Sequence, residues 1–166
     1  MNAFLAGIYI SPTATALPTA VGSVRALSGR GLDGDRYAMG CGTFSNRPER
    51  RDVTLIEAEE IERFSRESMQ PFDAAMSRRN LLTFGVRLND LVGHEFMVGT
   101  VRMRGVRLCE PCTHLERVTG VPILAGLVHR GGLYAEILDD GELAVGDAIS
   151  VIARAEEQKS EGPQAI

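Results

Sequence analysis

The 166-residue chain has no tryptophan, and aromatic residues make up only 5% of it. It carries three cysteines and three histidines. So small and odd a thiol count excludes the disulfide-stapled scaffolds of small secreted domains. No apolar run approaches the roughly 20 residues that a membrane-spanning helix requires. The opening residues lack the basic stretch and long apolar core of a secretory leader. Positive charge is not in excess either: 18 Lys and Arg against 22 Asp and Glu leave a net charge of −4. That argues against a general nucleic-acid or membrane-binding surface. A cytoplasmic protein with reduced thiols is the reading these absences leave.

What is present points to one strand-rich domain. Hydrophobic residues make up 44% of the chain, enough for a real core at this length. The 18 glycines suit a fold built on tight turns. Strands are expected over residues 3–10, 21–27, 52–56, 133–138 and 144–152, with two more between Glu95 and Leu108 that turn near Gly99. Ala58, Ile61 and Phe64 recur at a three-residue step, so residues 57–67 are expected to form a one-sided helix. Shorter helices are expected over 111–118 and 122–128. The domain is read as residues 1–153. Residues 154–166, rich in Glu, Gln, Lys, Ser, Gly and Pro, are read as a disordered tail.

The segment Leu108-Cys-Glu-Pro-Cys-Thr-His-Leu-Glu116 concentrates chemistry. Two thiols three apart can bind a soft metal, form a redox disulfide or present one thiolate at a helix start. Pro111 suits the first helical position, which would set Cys112 in the first turn, where backbone N–H groups favour negative charge. The plain alternative is that both cysteines are apolar filling. A second concentration is basic. Arg30 and Arg36 lie in the glycine-punctuated loop 29–42, and Arg47, Arg50 and Arg51 follow. Guanidinium forks match phosphate oxygens, although the glycine spacing is not that of a Walker A loop. The alternative is a solvated loop whose arginines pair with Asp33, Asp35, Glu49 and Asp52. A third is Ser77-Arg-Arg-Asn80, either another anion clamp or an exposed edge. Its Asn80 offers both donors and an acceptor, as a heterocycle requires.

Taken in order, these motifs resemble the MOSC domain family, named for the molybdenum-cofactor sulfurase C-terminal region. The matching stretches are Gly31-Leu-Asp-Gly-Asp-Arg36, Arg51-Asp-Val-Thr-Leu-Ile-Glu57, Arg78-Arg-Asn-Leu81 with Gly85, Leu91-Val-Gly93, Cys109-Glu-Pro-Cys112, Arg130-Gly-Gly132 and Gly146-Asp147. They span roughly residues 3 to 153. The resemblance implies a closed, mainly β barrel with short helices packed on it. It also implies a site for molybdenum cofactor, a pterin dithiolene with a terminal phosphate.

In that family the cysteine after the proline, here Cys112, either ligates molybdenum or carries sulfur as a persulfide. Arg78 and Asn80 match the cofactor-holding positions, and Arg36 and Arg130 would add positive charge around the mouth. Two activities follow: reduction of small N-hydroxylated compounds, or transfer of sulfur received from a cysteine desulfurase. Pyridoxal phosphate would enter only through that separate partner, and electrons only through a separate electron-transfer protein. The rival classes are a zinc module using Cys109, Cys112 and His114 with Cys41 or His129, a thioredoxin-like exchange site, and a cofactor-free partner-binding domain.

Overall fold

The computed structural model describes residues 2–40 and 51–152. The expected tail at 154–166 lies outside the described residues, as do Cys41, Arg47, Glu49 and Arg50. The β-branched and apolar runs form strands as expected: β1 (Phe4–Ile10), β2 (Thr19–Val21), β3 (Ser23–Leu27), β4 (Gly31–Leu32), β5 (Val53–Glu57), β6 (Leu81–Phe84), β7 (Glu95–Val98), β8 (Val101–Leu108), β9 (Leu133–Ile137), β10 (Gly141–Ala144) and β11 (Ile149–Val151). The helices are α1 (Ala58–Ser68), α2 (Ala74–Ser77), α3 (Thr113–Thr119) and α4 (Ile123–Gly126).

Three expectations are refined. The strand expected over 144–152 shortens to β11, because Gly146 turns the chain at φ 98° after Ala144 has ended β10. The strand expected over 21–27 breaks at Gly22 into β2 and β3. The glycine loop contains the short strand β4.

Eight strands form one sheet in the order β11-β7-β8-β9-β5-β6-β1-β2, and β10, β3 and β4 form a second. Every neighbouring pair is antiparallel except β5 and β6, which run parallel. The crossover between those two is α1 and α2.

The expected closed barrel is a curled half-barrel instead. The curl brings β1 against the chain entering β11: Leu5 N–H donates to the Asp147 carbonyl at 2.8 Å, and Ile149 N–H donates to that of Ala3 at 3.0 Å. β11 is only three residues long and already pairs with β7. It carries no continuous ladder to β1.

Alternation along the strands sends one face inward. Leu5, Leu55, Leu81, Phe96, Met103, Leu133 and Ile137 are among the residues packed inside the curl. A second apolar cluster lies under the helices, where Ile61 and Phe64 of α1 meet Leu115, Ile123 and Leu127. Phe64 and Phe72 meet edge-on there, with ring centroids 5.0 Å apart.

Candidate functional site

A cavity of about 280 Å³ opens on the outer face of the large sheet. Its floor is a row across three strands. Thr54 of β5 stands opposite Tyr134 of β9, and Tyr134 stands opposite Arg107 of β8. All three point away from the apolar interior because their neighbours Val53, Leu55, Leu133 and Ala135 are the inward set.

Arg107 reaches this face through a bulge. Strict alternation from Val101 and Met103 would place it on the core face, but the register shifts between Gly105 and Arg107. The walls come from Arg36 and Tyr37, from Arg51, from Arg78 and Arg79, and from the segment Glu110 to Cys112 with His114 and Leu115.

Among the described residues, five arginines and one carboxylate line the cavity. Arg78 and Arg79 are held by main-chain carbonyls. Arg78 Nη1 donates to the Ala16 carbonyl at 2.8 Å and Nη2 to that of Ala14 at 2.7 Å, pinning the loop between β1 and β2 beside the cavity. Arg79 Nε donates to the Gly131 carbonyl at 2.9 Å and Nη2 to that of Cys109 at 3.3 Å. Arg36 is fixed from its own neighbour: Asp35 accepts from Ser11 N–H at 2.9 Å and lies 3.5 Å from Arg36 Nη1. Burial, and after it the like charge of Arg36, pulls the Arg78 guanidinium below its ordinary pKa. Arg78 also holds a left-handed backbone conformation, φ 57°, as the cap of α2.

Cys112 lies two positions earlier in its helix than Pro111 led the sequence reading to expect. It is the N-cap of α3, and Leu115 N–H donates to its Sγ at 3.4 Å. Its extended backbone, φ −135° and ψ 163°, places Pro111 outside the helix. Cys112 is half-buried and Cys109 is fully buried; both are free thiols. Cys109 contacts the Tyr134 hydroxyl. Burial first, then that thiol, pushes the Tyr134 phenol up to about 12.

The Arg130-Gly-Gly132 motif closes behind this corner. A side chain at Gly132 would run into the Leu55 carbonyl, and one at Gly131 would reach the Cys109 carbonyl at 2.5 Å. Glu110 binds His129, accepting from its backbone N–H at 2.9 Å.

Of the expected cofactor-holding residues, Arg36 and Arg78 line the cavity and Asn80 and Arg130 do not. Asn80 is 3% exposed and bonded in the wall. Its Oδ1 accepts from Thr54 N–H at 3.2 Å, and its Nδ2 donates to the Tyr9 carbonyl at 3.2 Å, so it ties β1, β5 and β6 together. Arg130 faces α1, donating to Glu67 at 2.9 Å and Glu60 at 3.3 Å and also contacting the Gly126 carbonyl.

Arg79 and Arg51, which the sequence reading grouped with its basic clusters, belong to the cavity. Tyr37, Tyr134 and Arg107 were missed. Arg107 carried no signal, because the bulge that turns it outward is not written in the alternation.

The zinc arrangement is not assembled. Among the described residues, no group of three or more His, Cys, Asp or Glu side chains is placed to hold a metal ion. His129 is taken by Glu110. The thioredoxin-like arrangement is also excluded, because the Cys-x-x-Cys segment links β8 and β9, which are antiparallel neighbours.

Comparison with known proteins agrees with this architecture. The family model described as MOSC domain matches residues 35–150. The crystal structure of the YuaD protein from Bacillus subtilis superposes with a TM-score of 0.76 at 18% identity, covering 91% of this chain and 96% of that one. YiiM from Geobacillus stearothermophilus gives 0.71 at 16% identity, covering 93% and 77% respectively. YiiM from Escherichia coli gives 0.69 at 17%, covering 93% and 71%. No curated protein sequence matches significantly.

Proposed function

The chain belongs to the MOSC domain family, and from that premise we propose that the arginine cavity binds molybdenum cofactor, with Cys112 as the reactive sulfur. The observation that carries the proposal is the lining itself: among the described residues, five arginines, one carboxylate and one thiol around the same space. A pterin dithiolene with a terminal phosphate is anionic and holds a soft metal. Guanidinium groups suit the phosphate, and a thiolate suits molybdenum.

Arg36, Arg78 and Arg79 would hold the anionic end, and Cys112 Sγ would meet the metal end. Thr54 and Tyr134 would form the floor, while Asn80 would keep the strands beneath it in register. When bound, the cofactor supplies two-electron chemistry, as in reduction of a small N-hydroxylated compound, or accepts a sulfur atom. In the second case Cys112 would carry that sulfur as a persulfide received from a separate pyridoxal-phosphate cysteine desulfurase. In the first, a separate electron-transfer protein would serve. Two free thiols beside each other fit a reducing compartment such as the cytoplasm. Among the described residues no helix is long and apolar enough to cross a membrane.

The test is elemental analysis of protein purified without oxygen from a host that makes the cofactor, wild type beside Cys112→Ser. Near-stoichiometric molybdenum in wild type, lost in the variant, is the expected result. Zinc in its place would overturn the proposal. Neither metal, together with a persulfide mass shift on Cys112, would select the sulfur-carrying role.

A further inference from the structure

We infer that Arg79 is a positioning residue for the Cys112 thiol. Its guanidinium spans the carbonyls of Cys109 and Gly131 and so fixes the corner that presents Cys112 to the cavity. Residues 109–112 leave the β8 ladder after Leu108 and have no regular structure before α3. Pro111 has no N–H with which to anchor them. The anchors come from far away in sequence. Cys109 N–H donates to the Gly132 carbonyl at 2.7 Å. Arg79 Nε donates to the Gly131 carbonyl at 2.9 Å, and its Nη2 donates to the Cys109 carbonyl at 3.3 Å.

The backbone is shaped for this contact. A Cβ on Gly131 would meet the Cys109 carbonyl at 2.5 Å and Pro111 Cδ at 3.1 Å, so the two segments approach only because residue 131 has no side chain. One guanidinium then bridges them through two donors in a fixed fork, which a lysine cannot reproduce. Arg79 is itself seated, its backbone N–H donating to Oγ of the buried Ser77 at 3.3 Å. Arg78 turns instead to the loop carbonyls of Ala14 and Ala16, so two adjacent arginines hold two different walls of one cavity. The inference rests on the reading of Cys112 as the reactive sulfur, and it gives Arg79 a task besides contact with the anion.

Three full-length proteins, wild type, Arg79→Lys and Arg79→Gln, are made in a host unable to synthesise the cofactor. Iodoacetamide, a neutral reagent, labels them at one pH, and alkylation of Cys112 is followed by peptide mass. Hydrogen exchange is followed over residues 109–116, with β7 as a remote reference. Access to a half-buried thiol depends on how often its corner opens. Both variants should therefore label Cys112 about tenfold faster than wild type and exchange faster over residues 109–116, with β7 unchanged. Arg79→Lys should not rescue, because it restores the charge without the fork.

The inference is overturned if either folded variant labels Cys112 no faster than wild type. Rescue by lysine alone would leave charge as the whole role of Arg79. It is also overturned if exchange quickens throughout the sheet, the mark of a general loss of stability. Neither measurement involves molybdenum, so failure of the cofactor proposal would leave this result standing. Variants that label as wild type would sink the positioning role alone.

Discussion

Two sets of arginines share this fold and are held in opposite ways. On the outer surface of β7 and β8, Arg104 bonds Glu95 and Glu136 at 3.1 Å each, and Arg102 pairs with Glu95 at 3.6 Å and Asp139 at 3.4 Å. Arg130 is likewise clasped by two glutamates of α1. In the cavity, Arg78 and Arg79 are fastened by carbonyl oxygens. A carboxylate partner fixes an arginine and cancels its charge. A carbonyl fixes it and leaves the charge for a ligand. Arg36 lies between the two cases, with Asp35 beside it, although that carboxylate is also spent on backbone N–H groups. Residue type alone does not separate the sets; the partner does.

The sharpest way to break this contrast is Arg78→Ala. It removes a buried charge and unpins the loop at Ala14 and Ala16. Cofactor retention should weaken by roughly tenfold to over a hundredfold, the equivalent of about 1.5–3 kcal/mol for one charge-assisted bond. Molybdenum remaining after extended dialysis reads the effect, and unchanged retention would remove Arg78 from the site.

Asn80→Ala should act on the fold instead. It leaves Thr54 N–H and the Tyr9 carbonyl without their partner and should cost roughly 1–3 kcal/mol in urea denaturation. Unaltered stability with lost cofactor would return Asn80 to a direct holding role.

Arg130→Ala tests the other half of the contrast. Its ion pairs reach partly exposed glutamates, and Glu67 is 56% exposed. The loss should be at most about 1 kcal/mol of stability, with cofactor content unchanged. A cofactor defect with intact folding would show that Arg130 reaches the mouth after all.

Much of this was legible in the sequence, for physical reasons that also mark where legibility stops. Strand alternation and the 57–67 periodicity gave most elements, because burial of one face dictates both patterns. Pro111 correctly marked a helix start, yet the helix begins two residues later than expected, because a proline fits just outside a helix as well as just inside it. Arg78 and Asn80 are two residues apart in a motif that spoke for both. Only the left-handed turn at Arg78 sends one into the cavity and the other into the wall. Arg130 sits beside two close-packed glycines and shares their motif, but the contact that matters to its side chain is with α1, 63 and 70 residues away in sequence. Long-range pairing of charges has no local signature, and neither does the bulge that presents Arg107.

The smallest expected effect concerns the hydroxyl that backs the cavity floor. The folded state raises the Tyr134 phenol from 10.0 to about 12, chiefly by burial and then through the neighbouring Cys109. A group whose folded pKa lies above its unfolded value binds its proton more tightly when folded. Its contribution is complete below about pH 10 and is lost as pH climbs toward about 12. Wild type should therefore lose stability across that window more steeply than Tyr134→Phe, which has no proton to release. The chain's other tyrosines titrate in both proteins, so the difference between the two denaturation profiles isolates this one group. Coincident alkaline limbs would mean that the phenol is hydrated when folded. The floor of the cavity at Tyr134 would then be wetter than its half-buried place between Thr54 and Arg107 implies.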